Sequence, residues 1–166
     1  KEFLVKNDVA IGGLNDSELM HAIIKHLLKS MTLEKAVEKA FPLFTGAFSL
    51  LIMTRDTIVA VRDPFGIRPL SIGKLNGSGY VVSSETCAFD TVNAQYIRDV
   101  EPGEMVIISE KGMSAKTLTP ANQKLDIFEF VYFARPDSQL LGKSVYQVRK
   151  NLGVELAREH PIKADV

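Results

Sequence analysis

Val59-Ala60-Val61-Arg62-Asp63-Pro64-Phe65-Gly66-Ile67-Arg68-Pro69-Leu70 is the stretch on which the reading of this chain turns. An apolar run suited to a buried strand stops at Arg62-Asp63, and Pro64 and Gly66 then impose a tight, non-helical turn. Arg68-Pro69 keeps the exit extended, because a residue before proline is pushed out of the helical region. The turn therefore joins two strands and places two arginines and an aspartate at their junction. Guanidinium forks there suit a phosphate or a carboxylate ligand. The alternative is an internal Arg–Asp network that pins the loop, and residue types alone leave both open.

On the N-terminal side the period is helical. Asn15 is placed as an N-cap with Glu18 three residues on, and Leu19, Met20, Ile23, Ile24, Leu27 and Leu28 follow at helical spacing. A second helix is predicted from Thr32 through Leu33, Ala36, Val37 and Ala40, loosened at Pro42. From Gly46 the pattern changes to short strands: Phe48 to Met53, Thr57 to Val61, Pro69 to Ile72 and Tyr80 to Ser83. A short helix is expected near Glu85 to Asp90, then strands at Gln95 to Asp99, Glu104 to Ser109 and Met113 to Leu118. Thr119 to Lys124 reads as a crossing loop, Phe128 to Phe133 as a strand with alternating aromatic faces, and Ser144 onward as an amphipathic helix ending before Pro161. That order favours an α+β layered architecture over an alternating parallel one.

The 166 residues can build one ordinary core, and an apolar fraction of 46% with 24% charged residues is that of a soluble globular protein. A formal net charge of zero gives no electrostatic footprint for nucleic acid or an anionic membrane. No apolar run reaches the roughly 20 residues of a membrane span, and no signal-peptide pattern opens the chain. The single cysteine, Cys87, excludes an intrachain disulfide and suits a reducing cytoplasm; on its short helix it reads as a small buried hydrophobe. His21, His26 and His160 show no metal-ligand spacing. Asp16 by its position is an ordinary helix-start carboxylate, and Ser83-Ser84-Glu85-Thr86 a capping pattern. The start at Lys1 reads as a fragment or a processed product.

The Arg62-Asp63-Pro64 string resembles the amidophosphoribosyltransferase family, as do Asn15-Asp16-Ser17-Glu18, Gly46-Ala47-Phe48-Ser49 and Phe128-Glu129-Phe130-Val131-Tyr132-Phe133-Ala134-Arg135-Pro136-Asp137-Ser138. The resemblance implies part of a four-layer αββα N-terminal-nucleophile hydrolase sandwich of antiparallel sheets. Residues 1–139 would be a partial class II glutaminase domain, and 140–166 a connecting helix and the beginning of the phosphoribosyltransferase domain. It implies an enzyme that transfers glutamine-derived ammonia to 5-phosphoribosyl 1-diphosphate, giving 5-phosphoribosylamine, the first committed step of purine synthesis.

Residue by residue, the resemblance gives Asp16 the glutamine α-amino group, with Ser17 and Glu18 as capping residues. It places Tyr132, Arg135, Asp137 and Ser138 near the interdomain ammonia path, and makes Arg62, Asp63 and Arg68 a structural network. Gly46 would open a central strand by allowing close backbone approach. The family nucleophile, a terminal cysteine activated by its own α-amino group, has no match here, so the chain alone is expected to be inactive. A stand-alone non-catalytic binding or regulatory module with a glutaminase-like fold is the alternative. Magnesium belongs to the transferase part, and Asp126 at the position of a cluster-ligating cysteine argues against an iron–sulfur cluster. The implied partners are glutamine, 5-phosphoribosyl 1-diphosphate and further copies of the chain, in the cytoplasm.

Overall fold

The computed structural model describes residues 1–163; Ala164-Asp165-Val166, expected from the resemblance to start the first strand of a transferase domain, lie outside the described residues. The chain forms two units, Lys1–Gly46 and Ala47–Val166. The first is helical: α1 (Glu2–Lys6), α2 (Asp16–Leu27) and α3 (Leu33–Ala40), followed by a single 3-10 turn, Phe41–Leu43. Asn15 and Glu18 start α2 with a reciprocal capping box, Asn15 Oδ1 accepting from Glu18 N at 3.0 Å and Glu18 Oε2 from Asn15 N at 2.8 Å. Leu19, Ile23, Ile24 and Leu27 form the buried stripe of α2, which packs on α3 with its buried Ala36, Val37 and Ala40. The sequence pattern had no place for α1, a single turn whose one core residue is Leu4.

The second unit opens with β1 (Ser49–Met53), β2 (Thr57–Arg62), β3 (Ser71–Leu75), β4 (Tyr80–Ser83), α4 (Cys87–Thr91), β5 (Ala94–Asp99), β6 (Glu104–Ser109) and β7 (Gly112–Thr117). A π-helical turn follows at Glu129–Phe133, then the small hairpin β8 (Gln139–Leu140) and β9 (Lys143–Ser144), and finally α5 (Val145–Glu159). The expected domain boundary at 139/140 falls inside that hairpin. Two antiparallel sheets, β1-β2-β6-β7 and β4-β3-β5, carry the unit. They pack face to face through Ala60, Leu70, Ile72, Val100, Val106 and Ile108. Ala60 pairs with Val106 across β2 and β6. Val59 and Val61, on the other face of β2, are equally buried, which explains an unbroken apolar run in place of alternation.

Four sequence expectations change. The strand expected at Phe128 to Phe133 is the π-helical turn, because the chain buries Phe130 and Ala134, four residues apart, and leaves Phe128, Tyr132 and Phe133 exposed. A strand would have placed Phe128, Phe130 and Tyr132 on one face. The strand expected from Pro69 starts at Ser71, since proline has no N–H for the ladder. β1 lies at the edge of its sheet among the described residues, not at its centre. Gly46 has open space where a Cβ would stand, so close backbone approach is not what that glycine supplies. Only the first part of the apolar set on α5 is covered: Val145 is buried, whereas Leu152 and Leu156 are exposed.

Gly103 closes the turn into β6 with φ +76°, and a Cβ there would stand 2.5 Å from the carbonyl oxygen of Thr119. Gly103→Ala should therefore destabilise the protein by more than about 2 kcal/mol, combining left-handed strain with a clash against backbone. Gly153→Ala, in α5 where a Cβ meets nothing, should stabilise by about 0.5–1 kcal/mol. Denaturant midpoints of the two variants check both signs; equal midpoints would show that the turn tolerates a side chain.

Candidate functional site

The junction after β2 is built by side chains that bind backbone. Asp63 is fully buried; its Oδ1 accepts from Phe65 N at 2.8 Å and Gly66 N at 3.1 Å, and its Oδ2 from Phe48 N at 3.1 Å. Arg62 donates from Nε to Arg68 O at 2.9 Å, from Nη1 to Val100 O at 2.7 Å and from Nη2 to Gly66 O at 2.8 Å. Every hydrogen bond the guanidinium makes in this set ends on a carbonyl, so Arg62 and Asp63 clip the loop separately and do not pair with each other. Burial pulls the Arg62 guanidinium below its ordinary range, opposed chiefly by the carboxylates of Asp99 and Asp63.

Arg68 leaves this loop and meets the second signature string. Its Nη1 lies 2.7 Å from Glu129 Oε1, and its guanidinium carbon stands 4.8 Å from the centre of the Phe133 ring. Glu129 is buried and Arg68 about half exposed. Burial raises the Glu129 carboxyl above its usual range, with Arg68 pulling the other way. A cavity of about 180 Å³ opens beside the pair, lined by Arg68, Pro69, Ser84, Glu85, Glu129 and Phe133.

Glu85 is the residue that sequence reasoning missed. Its Oε2 accepts from Arg135 N at 2.7 Å and from Ser138 Oγ at 2.9 Å. Thr86 Oγ1 likewise accepts from Gln139 N at 2.7 Å and makes no capping bond to α4. The Ser83-to-Thr86 segment thus serves a loop 50 residues away, and its resemblance to a cap hid that role. Ser138 is buried on Glu85, whereas Arg135 and Asp137 form an exposed bidentate pair at 3.0 and 2.8 Å. The hydrogen bonds to Arg135 hold the Asp137 carboxyl below its usual range. Tyr132 is 76% exposed and packs edge-on against Phe133 with ring centres 5.6 Å apart.

Asp16 belongs to the first unit. It is the first residue of α2 and exposed; Asn15 and Glu18 make the cap, and Ser17 takes no part in that box. Asp126 Oδ1 accepts from Phe128 N at 3.0 Å, a carboxylate used to start the π-helical turn. Cys87, the first residue of α4, is a free thiol and half-buried. Among the described residues no group of three or more His, Cys, Asp or Glu is arranged to hold a metal ion, and no helix is long and apolar enough to cross a membrane.

Residues 2–91 match the glutamine amidotransferase domain family. Over 151 residues the chain is 44% identical to an amidophosphoribosyltransferase of Mycobacterium bovis, covering 91% of this chain and 28% of that protein. Over 148 residues it is 45% identical to the amidophosphoribosyltransferase of Bacillus subtilis, covering 87% of this chain and 31% of the relative. The fold matches the solved structure of a glutamine phosphoribosylpyrophosphate amidotransferase from B. subtilis, complexed with ADP and GMP. The TM-score is 0.89 at 41% identity, over 99% of this chain and 36% of that one. The chain thus spans about a third of the length of the proteins it resembles.

Because the folded state holds the Glu129 proton more tightly than the unfolded chain does, folded molecules bind more protons in the window that opens at the ordinary value of 4.5 and extends upward. Stability is therefore lost as pH rises through that window. Glu129→Gln, neutral throughout, should remove this component, so that its thermal midpoint falls less than that of the parent as pH rises from acid. Identical slopes for the two proteins would show that Glu129 titrates as an ordinary surface carboxyl.

Proposed function

This chain belongs to the glutamine amidotransferase domain family, and on that premise we propose that it is the part of an amidophosphoribosyltransferase that holds the ammonium end of glutamine and begins the passage of ammonia out of that site. In the parent reaction glutamine is hydrolysed to glutamate and ammonia. The ammonia nitrogen then displaces diphosphate from C1 of 5-phosphoribosyl 1-diphosphate, giving 5-phosphoribosylamine. The observation that carries the reading is the Arg68–Glu129 pair. It ties together the two sequence strings most particular to this family, at 2.7 Å and beside a cavity.

Within this assignment Asp16 binds the substrate α-ammonium. Support comes from its position: the capping box already satisfies the helix start through Asn15 and Glu18, so the Asp16 carboxylate is not spent on that task. Arg62, Asp63 and Arg68 act as scaffold, fixing the loop so that Glu129 and Phe133 are held from one side. Tyr132, Arg135, Asp137 and Ser138 flank the ammonia path, with Ser138 and the Arg135 N–H fixed by Glu85. Residues 140–166 lead toward the transferase part, where magnesium and 5-phosphoribosyl 1-diphosphate would bind. We place the parent in the cytoplasm as a homo-oligomer.

No catalytic residue is assigned among these 166 residues. Cys87 opens α4, so its backbone nitrogen is a peptide amide and cannot serve as the base that activates its own thiol. A glutamine-analogue alkylator applied to the 166-residue chain should leave Cys87 unlabelled and consume no glutamine. Stoichiometric labelling together with glutamine loss would reverse that assignment.

For Asp16, the full-length gene product should form 5-phosphoribosylamine from either glutamine or ammonia. Asp16→Asn should raise the glutamine KM about ten- to a hundredfold, the size of a lost charge-assisted bond of about 1.5–3 kcal/mol. Ammonia-dependent synthesis should persist, because that route bypasses the amide. An unaltered glutamine KM would reduce Asp16 to a helix-start carboxylate, and absence of both activities in the parent would overturn the enzyme assignment itself.

A further inference from the structure

The π-helical turn at Glu129–Phe133 leaves the Phe130 carbonyl without its expected donor. In an α-helix Phe130 O accepts from the N–H four residues on, and in a π-helix from the one five residues on. Here both are committed elsewhere: Ala134 N donates to Glu129 O at 2.9 Å and Arg135 N to Glu85 Oε2 at 2.7 Å. The replacement comes from α5. Arg149 Nε reaches Phe130 O at 2.6 Å, and its Nη2 reaches Ala134 O at 2.7 Å.

One guanidinium thus brackets the segment that carries the exposed Val131, Tyr132 and Phe133. Phe130, Ala134, Leu140 and Val145 pack together beneath it, with Val148 against them. Val145, Val148 and Arg149 lie on one face of α5, so the helix grips the turn by apolar contact and by hydrogen bonds together. On its other side the same segment is held by Arg68 on Glu129 and by Glu85 on Arg135 and Ser138.

We propose that Arg149 is a positioning residue that sets where Tyr132 and Phe133 stand, so that a shift of α5 is passed to this aromatic pair while Arg68 and Glu85 anchor its opposite side. The consequence for activity rests on the reading that Tyr132 flanks an ammonia path. A planar fork is needed, because two carbonyls four residues apart must be met at once; the ammonium of lysine is a point donor and answers one of them well.

The test uses the full-length gene product with Arg149→Met and Arg149→Lys. Hydrogen exchange of the amides in 129–135 should quicken at least about tenfold in Arg149→Met, the size of one of the two charged hydrogen bonds lost, while the strands β2 and β6 keep their protection. Glutamine consumed per 5-phosphoribosylamine formed should rise, with glutamine hydrolysis alone and ammonia-dependent synthesis both held within about twofold, less than the loss of one ordinary hydrogen bond. Arg149→Lys should fall between the two proteins and serves also if Arg149→Met does not fold. Unchanged exchange in 129–135, or equal losses in all the activities, would overturn the proposal. If the parent makes no 5-phosphoribosylamine from glutamine, the ammonia-path reading fails, and exchange still decides whether Arg149 holds the turn.

Discussion

Burying Arg62 and Asp63 at the end of β2 is the constraint from which the second unit is organised. A guanidinium removed from water costs several kcal/mol unless its donors are met, and here three carbonyls meet them. At about 1.5–3 kcal/mol for each charged hydrogen bond, the bonds offset a penalty of that size. The result is specificity more than net stability. The acceptors belong to Gly66 and Arg68 in the loop and to Val100 just after β5, so one side chain ties the loop to the turn that leads into β6. Asp63 performs the complementary task for N–H groups. Together they satisfy backbone donors and acceptors of an irregular, partly buried loop.

Once the loop is rigid, Arg68 has a defined place and direction, and this makes its contact with Glu129 more than a surface ion pair. Exposed pairs contribute little because two long side chains must be ordered for a screened attraction. Here Glu129 is buried in a fixed turn and Arg68 springs from a pinned backbone, so much of that ordering is already done. The stacking of the same guanidinium on Phe133 adds an apolar contact that a lysine would not provide. The raised carboxyl of Glu129 marks the cost of the arrangement, and its cause is burial acting against the attraction of Arg68.

Much of this was legible in the residues. The starts of α2, α3 and α5, the hairpins and the turn at Pro64 to Gly66 follow from local chemistry that has few alternatives. What escaped was set by distant parts of the chain. Phe128 to Phe133 alternates aromatic and other residues as a strand does, and only the pairing of Phe130 with Ala134 against Leu140 and Val145 shows a helical turn. Glu85 sits in a string that is a good helix cap by composition, yet its acceptor capacity goes to Arg135 and Ser138. For the candidate site, the separate residues were readable and their convergence was not: Arg68 is far in sequence from Glu129 and Phe133, and nothing local announces that they meet. Arg62 and Asp63 were read as a network, but the form it takes, each clipping backbone instead of binding the other, needs coordinates.

The π-helical turn shows why such long-range ties belong at this place. A turn with an extra residue per cycle leaves carbonyls that its own backbone cannot satisfy, and it survives only where neighbours complete it. Its completion is shared among Asp126 at its start, Arg68 on its first side chain, Glu85 at its exit and Arg149 across its back. Apart from Asp126, which immediately precedes the turn, these residues come from the loop after β2, the segment before α4 and the helix α5, so the geometry of the turn is a function of all of them at once. The irregular turn makes the exposed aromatic pair answerable to the sheets on one side and to the outgoing helix on the other.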